Sequence, residues 1–182
     1  MTRRFAYRLV TGNAGKLAEA RRIVGAGLES VAVDLPEIQS LDLIEVLRAK
    51  AAAAFASVGA PVVVEETGLE LAALSGFPGP LVKWMLDAVG AEGIARCALA
   101  LGDARVTARC ALAAFDGERT VEAAGETAGT LVLPPRGARG FGWDPVFLPD
   151  GETRTYGELS EAEKDRLGHR GKAWRALLAQ LA

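Results

Sequence analysis

Two adjacent carboxylates, Glu65 and Glu66, follow Val62-Val63-Val64 and precede Thr67-Gly68. A continuous β-branched run of this kind reads as a buried central strand, and the sequence ends it at the acidic pair. Two neighbouring negative charges at the end of a buried strand call for a cation. They suit a Mg2+ site, a general base, or both, with a solvated acidic turn as the alternative. Glu37, in Leu35-Pro36-Glu37, also follows an extended run and either adds a third carboxylate or is an ordinary surface residue.

Three further polar clusters fall at the ends of elements, where loops on a rigid scaffold carry function. Thr11-Gly12-Asn13-Ala14-Gly15-Lys16 joins a short apolar run to a helical pattern. Free amides at a helix N-terminus attract anions, and Lys16 in the first turn adds a charge; a plain turn capped by Asn13 is the bland reading. It is not a Walker A loop, because Gly12 to Gly15 is too short and Leu17 replaces the Ser or Thr that holds magnesium. Arg139 to Pro145 sets Phe141, Gly142, Trp143 and Asp144 together. Aromatic faces stack on bases and an Asp accepts from base N–H groups, although aromatics plugging a core beneath a glycine loop are equally common. Finally, Lys164 is followed by His169-Arg170, with His169 the single histidine. No Ser or Cys motif offers it a nucleophile. The pair reads as donors aimed at carbonyl or phosphate oxygens, or as structural hydrogen-bonders.

These clusters need a scaffold. Phe5–Val10 and Leu28–Val33 read as strands, 14–24 and 41–56 as helices, and Pro61–Val64 as the central strand, an alternation that implies an α/β architecture with a partly parallel sheet. Helices are expected over 80–86 and 92–101, separated at Gly90. Alternating residues from Val106 to Ala114, then Asp116-Gly117 and a second extended segment, signal an antiparallel hairpin extending a mixed sheet. Residues 134–142 form a Pro/Gly/Arg loop. Ser160-Glu161-Ala162-Glu163 fits a capping box for a short helix ending at Gly168, and a last helix carries Ala173, Trp174, Leu177, Leu178 and Leu181 on one face.

The 182 residues suit a single domain spanning 1–182. With 50% hydrophobic and 24% charged residues, neither disorder nor a fibrous repeat is expected. Lys plus Arg number 21 against 23 for Asp plus Glu, a formal charge of -2 that argues against nucleic acid or a membrane surface as partner. No secretory signal or membrane span is visible, so the cytoplasm is the expected location. Cys97 and Cys110, far apart and without a Cys/His cluster, indicate neither a disulfide scaffold nor a zinc site.

Taken together and in order, the motifs resemble the inosine triphosphate pyrophosphatase family, nearly end to end. The family's Thr-Gly-Asn-x-x-Lys stands at 11–16, its acidic strand at Val64-Glu65-Glu66-Thr67-Gly68-Leu69, and its Gly-x-Pro-Gly-Pro at 76–80, leading to Lys83-Trp84. Phe-Gly-Trp-Asp-Pro is intact at 141–145, followed by Thr155-Tyr156-Gly157-Glu158, Glu163-Lys164 and His169-Arg170. The resemblance implies an elongated twisted mixed β-sheet flanked by helices, with two lobes around a nucleotide cleft, and a homodimer. It implies Mg2+-dependent hydrolysis of ITP, dITP or XTP to the monophosphate and pyrophosphate, by water attacking the α-phosphorus. Two alternatives are a nucleotide-binding paralogue with little catalysis and a pyrophosphatase of different base specificity. By the same resemblance Thr11, Gly12, Asn13, Lys16, Lys50 and Lys83 meet phosphate and ribose. Glu37 and Glu66 are metal ligands, Glu66 is also the general base, and Thr67 contacts substrate. Phe141, Gly142, Trp143 and Asp144 form the base platform, and Lys164, His169 and Arg170 complete the nucleotide contacts. Two positions depart from the family: Glu66 stands for the usual Asp, and Gly168 for the usual Ser.

Overall fold

The computed structural model describes residues 5–182. Strands β1 (Arg8–Val10), β2 (Ser30–Val31), β3 (Val62–Leu71), β4 (Pro78–Gly79), β5 (Arg105–Phe115), β6 (Thr120–Leu131) and β7 (Phe147–Pro149) alternate with helices α1 (Ala14–Val24), α2 (Leu43–Val58), α3 (Val82–Ala100), α4 (Glu161–Leu167) and α5 (His169–Leu181). The strands form one mixed sheet in the order β2-β1-β3-β5-β6-β7, with β4 pairing β3 off this path. The β2-β1-β3 part is parallel and everything beyond β3 is antiparallel, which delivers the mixed α/β sheet expected from the alternation of elements.

The central strand corrects the sequence reading. It does not end at the acidic pair but runs on to Leu71, paired with β5 from Val62↔Phe115 to Leu71↔Val106. The reason is register: β5 offers an unbroken partner, and the two carboxylates are neutralised from opposite faces of the sheet rather than by water. Side chains alternate across a strand, so Glu66 lies on the face covered by α2, with Val62, Val64, Leu47 and Ala51. Glu65 lies on the other face, where Val63, Cys110 and Leu112 pack against Trp174 and Leu177 of α5. The first two strands are also shorter than 5–10 and 28–33, reduced to three and two residues by their brief parallel pairing with neighbours.

Helix ends follow local chemistry. The Asp42 side chain accepts from the amides of Ile44 and Glu45, so α2 begins at Leu43 rather than Leu41. The capping box at Ser160 and Glu163 is formed, and α4 stops before Gly168 as expected. Gly90 breaks α3 with a left-handed φ of 69°, separating the two predicted helices. Helix α5 lies directly on β6: a Cβ at Gly125 would come 2.4 Å from the His169 carbonyl oxygen, so only glycine admits the helix this close. A third core joins α3 to the far end of the sheet through Leu69, Leu71, Ile94, Phe147 and Tyr156.

Candidate active site

The site gathers around the middle of β3 and divides into two charge centres. The first lies on the α2 face. Lys50 of α2 donates to Glu66 Oε1 at 2.5 Å and to Glu37 Oε1 at 2.9 Å. Burial alone would lower the Lys50 ammonium, and the Glu66 and Glu37 charges override it and raise it above its ordinary value. Burial would likewise raise the Glu37 carboxyl, but the Lys50 hydrogen bond and the charges of Lys16 and Lys83 hold it below the usual range. Two carboxylates thus converge on a single point occupied by one cationic nitrogen.

The second centre lies on the opposite face and is almost completely buried. The Arg170 Nε donates to both Glu65 oxygens at 3.0 Å, and its other nitrogens reach Glu19 at 2.5 Å and Thr67 Oγ1 at 3.4 Å. Lys164 donates to Glu19 at 2.7 Å and to Asp144 at 2.5 Å. Lys16, at the start of α1, lies 3.4 Å from Glu65. Burial would raise the Glu65 and Glu19 carboxyls, yet Arg170 with Lys16 or Lys164 holds both below their ordinary 4.5. Burial wins at Asp144, whose carboxyl is raised because Lys164 offsets only part of the cost.

Beside this network stands His169, 2% exposed and stacked between Trp143 and Tyr156 with ring centroids 6.4 and 6.1 Å away. Neither ring nitrogen has a hydrogen-bond partner among the described residues. Burial, followed by the charges of Arg170 and Lys164, pushes the imidazole well below 6.5, so it is neutral and keeps one donor and one acceptor. Phe141 covers the same cations, its ring centroid 4.9 Å from Lys164 Nζ and 5.3 Å from the Arg170 guanidinium carbon. Its other side rests on α1, where a Cβ at Gly15 would come 2.6 Å from the ring.

The other sequence-predicted residues lie on the neighbouring loops and helix starts. Asn13 caps α1 through a hydrogen bond from Lys16 N at 3.0 Å, and the Thr11 hydroxyl accepts from Asn13 N at 3.1 Å. Gly12 has open space where a side chain would stand. Thr67 donates to Glu65 at 3.0 Å. Asp144 closes its own loop by accepting from Phe141 N at 2.7 Å, while Gly142 turns that loop with a φ of 63°. Lys83 lies on the exposed start of α3, paired with Asp87 at 3.2 Å and lying over Trp84, with its charge acting on Glu37. The Thr155–Glu158 motif buttresses the platform loop: Thr155 Oγ1 donates to the Arg136 carbonyl at 2.7 Å, and Gly157 N to the Asp144 carbonyl at 3.0 Å. At Gly168 a Cβ would meet the Lys164 carbonyl oxygen at 2.6 Å, so the tight passage from α4 to α5 in this chain favours glycine over serine.

Sequence reasoning missed Glu19. The apolar stripe of α1 ran through Leu17, Ala20, Ile23 and Val24, and Glu19 sits at its edge, one turn before Ile23. The available signal was the charge count: Lys16, Lys164 and Arg170 in one site demand more carboxylates than Glu65 and Asp144 supply.

Among the described residues no group of three or more His, Cys, Asp or Glu is placed to hold a metal. Two convergent carboxylates nevertheless fit a hard divalent cation that takes its remaining ligands from water and substrate phosphates, the usual habit of Mg2+.

The chain is 44% identical over 179 residues to an inosine triphosphate pyrophosphatase of Yarrowia lipolytica, covering 95% of this chain and 94% of that one. It is 40% identical over 167 residues to a dITP/XTP pyrophosphatase of Methanopyrus kandleri, covering 90% and 89%. A HAM1 protein structure from Coxiella burnetii superposes with a TM-score of 0.80 at 27% identity, covering 96% of this chain and 98% of that one. The Ham1 family profile matches residues 7–180, and the chain belongs to that family.

Proposed function

We propose that this chain is a hydrolase of acid anhydrides that converts non-canonical purine nucleoside triphosphates, ITP, dITP or XTP, to the monophosphate and pyrophosphate. The observation that carries the reading is the convergence of Glu37 and Glu66 on one cationic point on one face of β3, with Arg170 bound to Glu65 on the other and Lys164 and His169 buried beside Arg170. The names of its relatives support it.

In this reading Glu37 and Glu66 hold Mg2+, which when bound neutralises phosphate charge and lowers the pKa of water. Lys16, Lys50, Lys83 and the free amides of the α1 N-terminus, with Thr11, Gly12 and Asn13, draw in the polyphosphate. Glu66 orients a water toward the α-phosphorus and accepts its proton as the P–O bond to the pyrophosphate leaving group breaks. Thr67 positions the substrate beside it. Phe141, Gly142 and Trp143 bound the base, with Asp144 fixing their loop. His169, Arg170 and Lys164 donate toward O6 of a 6-keto purine, whereas the adenine amino group would leave those donors unpaired; guanine carries the same O6, so its exclusion rests on its 2-amino group.

The chain acts as a single domain and as a homodimer, which the exposed Leu41 and Trp84 support. In this reading it works in the cytoplasm.

The test is pyrophosphate release from ITP, dITP, XTP, ATP and GTP with Mg2+ and with excess chelator. Selective, chelator-sensitive hydrolysis of the first three is expected. Equal rates on all five, or no hydrolysis of any, would overturn the reading.

A further inference from the structure

Glu19 is 5% exposed and bridges two cations. One carboxylate oxygen accepts from Lys164 and the other from Arg170. This single side chain therefore fixes the spacing between the ammonium of α4 and the guanidinium of α5 from a third element, α1. It also lines a cavity of about 140 Å³ with Gly15, Phe141, Tyr156 and Lys164, so it stands at the edge of the base platform. Charge adds a second observation. Lys16, Lys164 and Arg170 are met by Glu19, Glu65 and Asp144, three cations against three carboxylates in contact.

We propose that Glu19 is a specificity-determining positioning residue, an inference that rests on the function proposed above. Donors discriminate a carbonyl from an amino group only when they cannot turn away to another acceptor. An ammonium on a four-carbon stem is mobile unless it is held, and Glu19 supplies the second of the two carboxylates that hold Lys164. Its charge also keeps the buried centre neutral. Without that charge a surplus positive centre attracts any polyphosphate whatever its base. Glu19 thus suppresses binding energy that carries no information about the base.

The experiment measures kcat and KM for ITP and ATP, with melting temperature, in the native chain, Glu19→Gln and Glu19→Asp. Glu19→Gln keeps shape but leaves surplus positive charge. The ITP:ATP ratio of kcat/KM is expected to fall at least about tenfold, with KM lowered for both nucleotides. Glu19→Asp keeps the charge but is too short to span both cations, so the ratio falls while KM does not. A purely structural Glu19 gives losses in equal proportion on both substrates and an unchanged ratio, which would overturn the proposal. Should Glu19→Gln fail to fold, the ratio in Glu19→Asp decides. A native chain without preference for ITP would defeat the proposed function and this inference with it. A native preference preserved in the variants defeats this inference alone.

Discussion

The two charge centres flanking β3 are built from the same residue types and behave as opposites. On one face Glu65 and Arg170 have side chains 2% and 4% exposed, and Glu19, Lys164 and Asp144 close around them. On the other face Lys50 is shared between Glu66 and a Glu37 whose side chain is 53% exposed. In the closed centre every carboxylate is met by a buried cation. The open centre has one cation for two carboxylates and a route to solvent, so its partners can be replaced. Adjacent positions in one strand therefore enter different environments, because alternation sends Glu65 and Glu66 to different faces.

The comparison breaks first at Arg170. Arg170→Met leaves Glu65 and Glu19 buried with fewer partners, and removing one member of a buried pair costs about 3–5 kcal/mol. Urea unfolding should show a loss on that scale, and a near-native midpoint would mean that the closed centre does not carry stability. Next comes Glu66. Glu66→Gln keeps the shape of the open centre, and kcat on ITP should fall by at least about 100-fold with little change in unfolding midpoint. Near-native kcat would return Glu65 or Glu37 to contention. Glu66→Asp sharpens the point: a carboxylate misplaced by about an ångström can cost about 100-fold in rate. A slower Asp variant therefore means that the site has adjusted to the longer acid, and a faster one that it has not.

Lys16 touches both regions, since its charge acts on Glu65 and on Glu37. Lys16→Ala should weaken ITP binding by about tenfold or more, the worth of a hydrogen bond to a charged group, while IMP binding changes much less. Equal losses in titrations of the two ligands would remove Lys16 from the polyphosphate. The smallest effect is a pH slope. His169 is held below 6.5 in the native state, so the unfolded chain takes up a proton first as pH falls. Stability is full above that value and declines below it by up to about 1.4 kcal/mol per pH unit. Glu19 and Glu65, held below 4.5, add their own loss only at lower pH, whereas the raised Asp144 carboxyl opposes the trend. Unfolding midpoints between pH 7 and 5.5 should slope downward in the native chain and flatten in His169→Gln.

Much of this was legible in the sequence because it is local. The Asn13 cap, the Ser160 capping box and the Asp116-Gly117 hairpin are written within a few residues, and each formed where expected. The extent of β3 was not legible, since it depends on ten register pairs with a strand more than thirty residues later. Nor was the partition of the acidic pair, because a sequence lists Glu65 and Glu66 as neighbours while the pleat puts a sheet between their side chains. Glu19 escaped for a related reason: its partners lie 145 and 151 positions away, and nothing beside it announces them.

That separation bears on how the protein is made. Synthesis delivers α1 well before α5, so Glu19 and Lys16 leave the ribosome long before Arg170 exists to meet them. The β3–β5–β6 meander can assemble from sequential hairpins, but its Glu65 lacks the guanidinium of Arg170, which meets both its oxygens, until α5 docks on Gly125. Contacts this distant along the chain are slow to close, and the half-built protein exposes the apolar face that α5 will cover. Activity should therefore appear in one late step, when α5 docks, rather than grow with chain length.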